Sequence, residues 1–360
     1  ESEEDQDFES ILHASKTVLP DADESLLYHY RSKYEDLIAF CNHEVYGGRL
    51  VTFPNPTISK GVVFEHVADG VFDGAVSKEG YSGTRRNDIE ARRVAEVCAK
   101  YAADYPDKSI GVIAFSKSQE LAIRDALIDL LKKNPEVRDK LNEDDSSSDA
   151  FFIKNLESVQ GDERDIIVLS IGYAKDKNGD MHNRFGPINA KSGYRRLNVA
   201  FTRAKEKIVC VSSIKATDIK PGTIARGAKM LQHYLDYAEN GPAVLVSSML
   251  VQNNAVDVDS PFELDVEKAL MDRGYEVERQ VGASGYKIDL AIIDPKNAGQ
   301  YILGIECDGA TYHSSYSARV NDRLRQDVLE RLGWKIYRVW SQHWITHKHE
   351  IVDDIIGNIK

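Results

Sequence analysis

The 360-residue chain has no G-x-x-x-x-G-K-[ST] phosphate loop, and the dipeptide Gly-Lys never occurs in it. Such a loop wraps nucleotide phosphates in backbone N–H groups, so the chain carries no cradle of that kind of its own. Cysteine is scarce. Cys41, Cys98, Cys210 and Cys307 show no C-x-x-C spacing and lie in or near apolar runs. They read as reduced, structural thiols in a reducing compartment, which excludes a disulfide scaffold. No run of about 18 apolar residues exists, and no secretory signal is visible, so a cytoplasmic chain with no membrane partner is expected. Nor is positive charge in excess: 46 Lys and Arg face 58 Asp and Glu, for a formal charge of −12. That argues against a generally basic nucleic-acid surface but leaves room for a local basic groove. A hydrophobic content of 42% supports packed cores, and the length allows two domains.

One stretch organises the chain. Val159-Gln160-Gly161-Asp162-Glu163-Arg164-Asp165 runs straight into Ile166-Ile167-Val168-Leu169-Ser170. A polar turn against a continuous apolar run reads as a strand buried on both faces of a parallel sheet. Further on, Arg195-Arg196-Leu197-Asn198-Val199-Ala200-Phe201-Thr202-Arg203-Ala204-Lys205 reads as a helix. Leu197, Ala200, Phe201 and Ala204 share one side, leaving Arg196 and Arg203 free to reach a polar site. Taken singly, each half also fits a surface loop before a strand, or an amphipathic helix with solvated arginines. Together, in this order and spacing, they resemble motifs V and VI of superfamily 1 helicases, in the branch typified by the nonsense-mediated-decay helicase. The resemblance implies that Gln160, Gly161 and Glu163 face nucleotide and nucleic acid. Arg196 and Arg203 would serve phosphate, with Arg203 reaching the γ-phosphate across a cleft between two domains. A permanently charged planar fork suits that task.

Upstream, Ser25-Leu26-Leu27-Tyr28-His29-Tyr30-Arg31-Ser32 precedes the apolar run Leu37 to Cys41. By itself it fits a strand followed by a helix with one exposed arginine. Placed before motifs V and VI, it resembles motif IV, which implies that Arg31 contacts the nucleotide's phosphates. The corner from Ala114 to Gln119 loosely resembles the family's T-P-Y-x-x-Q element, with only Gln119 matching outright. The chain starts at Glu1 with an acidic run to Ser10. Together with the missing phosphate loop, this leads us to expect a fragment that begins after a first motor domain. ATP and its Mg²⁺ would then bind only with that missing partner domain.

The order of elements is expected to be a loose acidic segment (1–24), a RecA-like parallel-sheet domain (25–239), a linker (240–259) and a second α/β domain (260–360). In the acidic segment, a short helix is expected around Phe8 to Ala14. Loops and strands are expected over Val51 to Gly80, and a helix over Asn87 to Tyr101. A buried strand at Ile110 to Phe115 should feed a helix capped by Ser116 that runs to about Leu131. Phe151 to Lys154 and Lys207 to Ser213 read as strands, and Gly227 to Ala238 as a helix. In the second domain, Pro261 to Arg273 reads as a helix with Ser260 as its cap and proline at its first position. Strands are expected at Tyr275 to Gln280, Lys287 to Ile293 and Tyr301 to Glu306, then a helix from Ser317 to Leu332 and a strand from Trp334 to Trp340.

Helix, three strands, helix, strand is the core order of the restriction-endonuclease-like fold. Asp289 interrupts one apolar strand and Glu306 ends the next, so the two carboxylates can hold Mg²⁺. Glu263 on the first helix is a candidate third ligand. Arg325 falls between Leu329 and Leu332, on the helix face turned to the sheet, where a charge needs a partner. Asp322, Arg325, Leu329 and Gly333, with Glu306-Cys307-Asp308-Gly309 and His313 before them, resemble the very-short-patch-repair-type branch of PD-(D/E)xK nucleases. The family's usual E-x-K is here Glu306-Cys307-Asp308, without the lysine. The resemblance therefore implies catalytic roles for Asp289, Glu306, Asp308, His313 and Arg325, with Gln326 a further replacement for the lysine. Asp289, Glu306 and Arg325 also fit a structural ion pair, and His313 also fits a surface loop. The expected whole is part of a helicase–nuclease acting on DNA. An inactive nuclease fold that docks DNA, or an RNA substrate, is the alternative. Trp334, Tyr337, Trp340 and Trp344 are read as packing rather than base stacking.

Overall fold

A computed structural model describes residues 11–19, 27–29, 31–57, 60–77, 80–143, 147–220, 225–245, 260–282, 286–309 and 325–359. Ile166 to Leu169 form its centre, each at most 3% exposed. They belong to β6 (Arg164–Ser170), in a five-stranded sheet ordered β1 (Val62–His66), β7 (Ala204–Ser212), β6, β4 (Ile110–Ala114), β5 (Phe152–Asn155). Every pairing in it is parallel. Strands read as unbroken apolar runs because both faces are covered. On one face lie α2 (Asp36–Glu44), α5 (Gly193–Phe201) and α6 (Arg226–Asn240). On the other lie α3 (Asp88–Asp104) and α4 (Lys117–Leu131). A short helix α1 (Ile11–Val18) precedes them, and a hairpin, β2 (Ala75–Ser77) and β3 (Gly80–Ser82), is inserted after β1.

The expected Ser116 cap holds, and Asn87 caps α3 in the same way. Ser116 Oγ accepts from the Gln119 N–H at 3.2 Å, and Asn87 Oδ1 from the Glu90 N–H at 3.1 Å. Among the described residues of the strand-like run before Arg31, Tyr28 forms a bridge with Val51. The expected linker begins as packed chain, since Leu245 is buried in the first domain's core; residues 246–259 lie outside the described ones.

The second domain is a four-stranded sheet ordered β11 (Ile336–Trp340), β10 (Asn297–Asp308), β9 (Ile288–Asp294), β8 (Val277–Val281). β10 and β11 run parallel, the other neighbours antiparallel. Helix α7 (Pro261–Met271) and the C-terminal α9 (Ser341–Ile359) cover one face through Val266, Leu270, Trp344, Ile351 and Ile355. The helix α8, described over 325–331, lies on the other face with Leu329 and Trp334. Pro261 starts α7 as expected, but Ser260 makes no side-chain cap bond. The sequence reading also missed α9, whose polar residues blur its apolar stripe.

Candidate active sites

The first cluster of candidate residues lies beside the turn entering β6. Gly161 turns the chain there at φ +95°, a conformation open to glycine, with free space where a side chain would stand. Arg31 Nε donates to Glu163 Oε2 at 2.7 Å and its Nη1 to the Thr202 carbonyl at 3.2 Å. That hydrogen bond holds the Glu163 carboxyl below its ordinary pKa. Lys205 Nζ approaches the same carboxylate at 3.4 Å. Arg203 is anchored through Nε to the Val199 carbonyl at 2.8 Å and through Nη2 to Thr202 Oγ1 at 3.1 Å. Burial, and then the nearby Arg31 charge, lower the Arg203 pKa. Arg31, Glu163 and Arg203 thus form one cluster. Gln160 and Arg196 line an adjacent cleft of about 480 Å³ with Glu157 and Arg195.

A further cleft of about 280 Å³ opens past the ends of β4 and β5, lined by Phe72, Arg85, Ser116, Lys117, Asn155 and Arg184. Arg85 takes φ +57°, which an arginine adopts at a cost and which often marks a functional turn. Behind this cleft is a polar knot that the sequence reading missed. Glu90 is fully buried. It accepts from Ser170 Oγ (2.8 Å), Gly172 N (2.6 Å), Ser213 N (2.9 Å) and Ser213 Oγ (2.7 Å). Burial pushes its pKa up to about 7 despite these donors. Gln119, the residue matching the helicase element, belongs to the knot through Ser170 Oγ at 3.3 Å and the Asn87 carbonyl at 3.1 Å. A glutamate in a helical stripe looks like a solvated residue, so only the three-dimensional placement reveals it.

The second site sits on the β9–β10 pair. Ile305 pairs with Leu290 and Gly304 with Ala291, which brings Glu306 opposite Asp289 on one face. Asp289 Oδ2 accepts the Cys307 N–H at 2.7 Å, and burial raises its pKa. Glu306 is pushed up to about 7, first by burial, with the Asp289 charge adding and a hydrogen bond from Tyr286 opposing. Its Oε1 is buried without a hydrogen-bond partner among the described residues. Glu306 also stands beside Arg338 in the β10–β11 register, and Arg338 Nη1 lies 3.5 Å from Asp308 Oδ2. Arg325 lies over the Tyr286 ring, 5.3 Å from its centre, so it does face the sheet at this site. Glu263 Oε2 accepts from Gln280 Nε2 at 3.1 Å, and Gln280 also donates to Asp289. Among the described residues no group of three or more His, Cys, Asp and Glu is placed to hold a metal ion. His313 and Asp322 lie outside them. Tyr286, Gln280 and Arg338 were missed by the sequence reading, because only the three-dimensional placement brings them to the acids. Trp334 and Trp344 are buried, and Trp340 is half exposed.

A parallel sheet covered on both faces, with an arginine-lined cleft, joined to a four-stranded sheet with facing acids, defines a two-domain α/β protein: a RecA-like domain followed by a restriction-endonuclease-like one. The chain belongs to the AAA domain family, which matches residues 4–215, and a restriction-endonuclease-like family, REase_MTES_1575, matches residues 262–359. It is 31% identical over 334 residues to a Mycoplasma pneumoniae protein named an uncharacterized ATP-dependent helicase MG140 homolog; 89% of this chain and 28% of that one are covered. Its Mycoplasma genitalium counterpart, named uncharacterized ATP-dependent helicase MG140, is 30% identical, with 99% of this chain and 32% of that one covered. The chain therefore spans about a third of these relatives. A solved C-terminal domain of a possible DNA helicase from Lactobacillus plantarum aligns with 57% of this chain and 96% of its own, at 15% identity and a TM-score of 0.28.

Proposed function

We propose that this chain is the second motor domain and the cutting domain of an ATP-dependent DNA helicase with Mg²⁺-dependent endonuclease activity. The relatives' names support the motor half of this reading. In the motor half, Arg31 and Arg203 neutralise charge on a transferring phosphoryl group held by a partner motor domain, as arginine fingers do. Glu163 holds Arg31 in place near Arg203 until nucleotide arrives. DNA phosphates follow the basic side chains Arg85, Lys117 and Arg184 along the cleft past β4 and β5.

The observation that carries the cutting half is the facing pair Asp289 and Glu306, with Glu306 Oε1 unsatisfied. The donor set fits Mg²⁺, which accepts two carboxylates and completes its shell with water and phosphate oxygens. Asp289 and Glu306 would hold the ion. When bound, it would sharpen the acidity of water and offset charge on the phosphate under attack. Arg325 and Arg338 add positive charge beside the scissile group, and Tyr286 orients Glu306. Asp308 is tied to Arg338, and Glu263 to Gln280. His313 remains a candidate acid or base. The four thiols are free, three buried and Cys307 partly so, in keeping with a cytoplasmic place. Among the described residues no helix is long and apolar enough to cross a membrane.

The test is nicking of DNA by the purified chain with Mg²⁺ or Mn²⁺. Cleavage that disappears with Asp289→Ala and Glu306→Ala supports the reading. A second reading, a docking module without cleavage, is favoured by the missing E-x-K lysine at Asp308. DNA binding that survives both changes, with no cleavage in the parent chain, would select it. Matched DNA and RNA strands decide the substrate.

A further inference from the structure

Residues 51–57 belong to the motor half by sequence, yet their Thr52, Pro54 and Pro56 carbonyls all accept hydrogen bonds from the cutting half. The segment starts as part of the Arg31 loop: Val51 N donates to the Leu27 carbonyl at 2.6 Å, and His29 N to the Val51 carbonyl at 3.2 Å. Thr52 Oγ1 then donates to Glu35 Oε1 at 2.6 Å, with both residues buried. From there the backbone crosses over. The Thr52 carbonyl accepts from Tyr286 N at 3.1 Å, and the Pro56 carbonyl from Tyr301 N at 2.7 Å. Thr57 bridges Gln300 in antiparallel fashion, so the segment behaves as an added edge of the second sheet.

Side chains close the junction. Phe53, 8% exposed, packs into a cluster with Val281, Ile288, Ala291, Leu329 and Trp334. Trp334 donates its indole N–H to the Pro54 carbonyl at 2.8 Å and stacks on Tyr301. Gly304 makes room for it, since a Cβ there would meet the Trp334 ring at 3.1 Å. The same segment reaches the acids through one residue. Tyr286 has its backbone held by Thr52, its ring 5.9 Å from that of Phe53, and its hydroxyl on Glu306.

We propose that the motor-domain strap from Val51 to Thr57 is a positioning element of the cutting centre: it seats Tyr286, and through it Glu306, so the centre is complete only with the motor domain docked. This rests on the cutting function proposed above. An aromatic wedge and backbone bonds fix the ring in place, and a shift of about 1 Å in such a support can cost on the order of 100-fold in rate. Tyr286 is thus a positioning residue and Phe53 its remote anchor.

The test uses the full chain. Its three tryptophans, Trp334, Trp340 and Trp344, all lie in the cutting half, so their emission reports that half alone. Phe53→Ala, a change in the motor half, is expected to shift Trp emission to the red by exposing Trp334, and to lower kcat for nicking about tenfold or more with little change in KM. Phe53→Leu, which keeps an apolar wedge and secures folding, is expected to restore most of both. Tyr286→Phe is expected to keep the emission and lower kcat. Unaltered emission in Phe53→Ala, or kcat unchanged in both Phe53→Ala and Tyr286→Phe, overturns the proposal. If the parent chain does not nick, the cutting function fails on its own. The strap is then judged by emission and Mn²⁺ affinity: a red shift with affinity weakened about tenfold in Phe53→Ala supports it, and no change in either overturns it.

Discussion

Arg31 and Glu163, 132 residues apart in the chain, meet at 2.7 Å. This pair ties the segment before α2 to the turn before β6, and Arg203 stands beside it. An ion pair this exposed adds little stability. Its consequence is positional: it holds the Arg31 guanidinium by the Thr202 carbonyl and near Arg203.

It follows that Arg203→Ala should leave the fold intact and abolish phosphoryl transfer. In a protein that also carries the partner motor domain, we expect ATP turnover to fall by ~10³-fold or more. DNA binding should stay within a few-fold. Steady-state ATP hydrolysis and filter binding measure the two. This chain alone is expected to show no ATP turnover.

A second prediction concerns the packing that carries Arg203. Phe201 lies under Tyr234 with ring centres 3.5 Å apart and packs edge-on against Phe40 at 5.9 Å. Phe201→Ala opens a cavity that these rigid rings cannot close, at a cost of about 3–5 kcal/mol. Urea denaturation followed by circular dichroism should show it as a lower midpoint.

The third prediction is a pH dependence. Glu90 has an ordinary pKa of 4.5 and is raised to about 7 in the fold by burial. The folded protein therefore holds this proton more tightly than the unfolded chain does. The stability it contributes is fully present below about 4.5 and is lost as pH rises towards 7. Asp36, raised to about 6 by burial, acts in the same direction. Glu163 and Asp218, with lowered values, act in the opposite direction at lower pH. Thermal unfolding should thus show a maximum near the acid side of neutrality. Glu90→Gln should flatten the fall between pH 4.5 and 7, while lowering stability by about 1–3 kcal/mol where an amide meets the backbone N–H of Ser213.

Much of this was legible in the sequence, for identifiable reasons. Ile166 to Leu169 and Ile110 to Ala114 are unbroken apolar runs, and only a parallel sheet covered on both faces wants them. Asp289 stood out because it breaks such a run, and its register with Glu306 followed from strand pairing. What sequence could not give was contact across long separations. Gln280 and Arg338 reach the acids from neighbouring strands and Tyr286 from the connection before β9, and nothing in their local spacing marks them. Glu90 looks like any helix-surface acid until Ser170 and Ser213 close over it. The strap of residues 51–57 reads as a proline-containing loop, because its bonds to the second domain are to residues more than 200 positions away.

The cutting centre yields a fourth prediction. Asp289→Asn keeps the size of the side chain but removes a charge from the candidate cation site. Nicking should fall to background, DNA affinity should hold, and no excess Mg²⁺ should restore the rate. Gel assays over a Mg²⁺ series read this directly.

The most direct measurement is the anomalous scattering of Mn²⁺ in crystals of this chain. A single peak within about 2.0–2.3 Å of carboxylate oxygens from both Asp289 and Glu306 is the predicted result. Two acids that stay empty at saturating Mn²⁺, or that turn away from one another, would contradict the account.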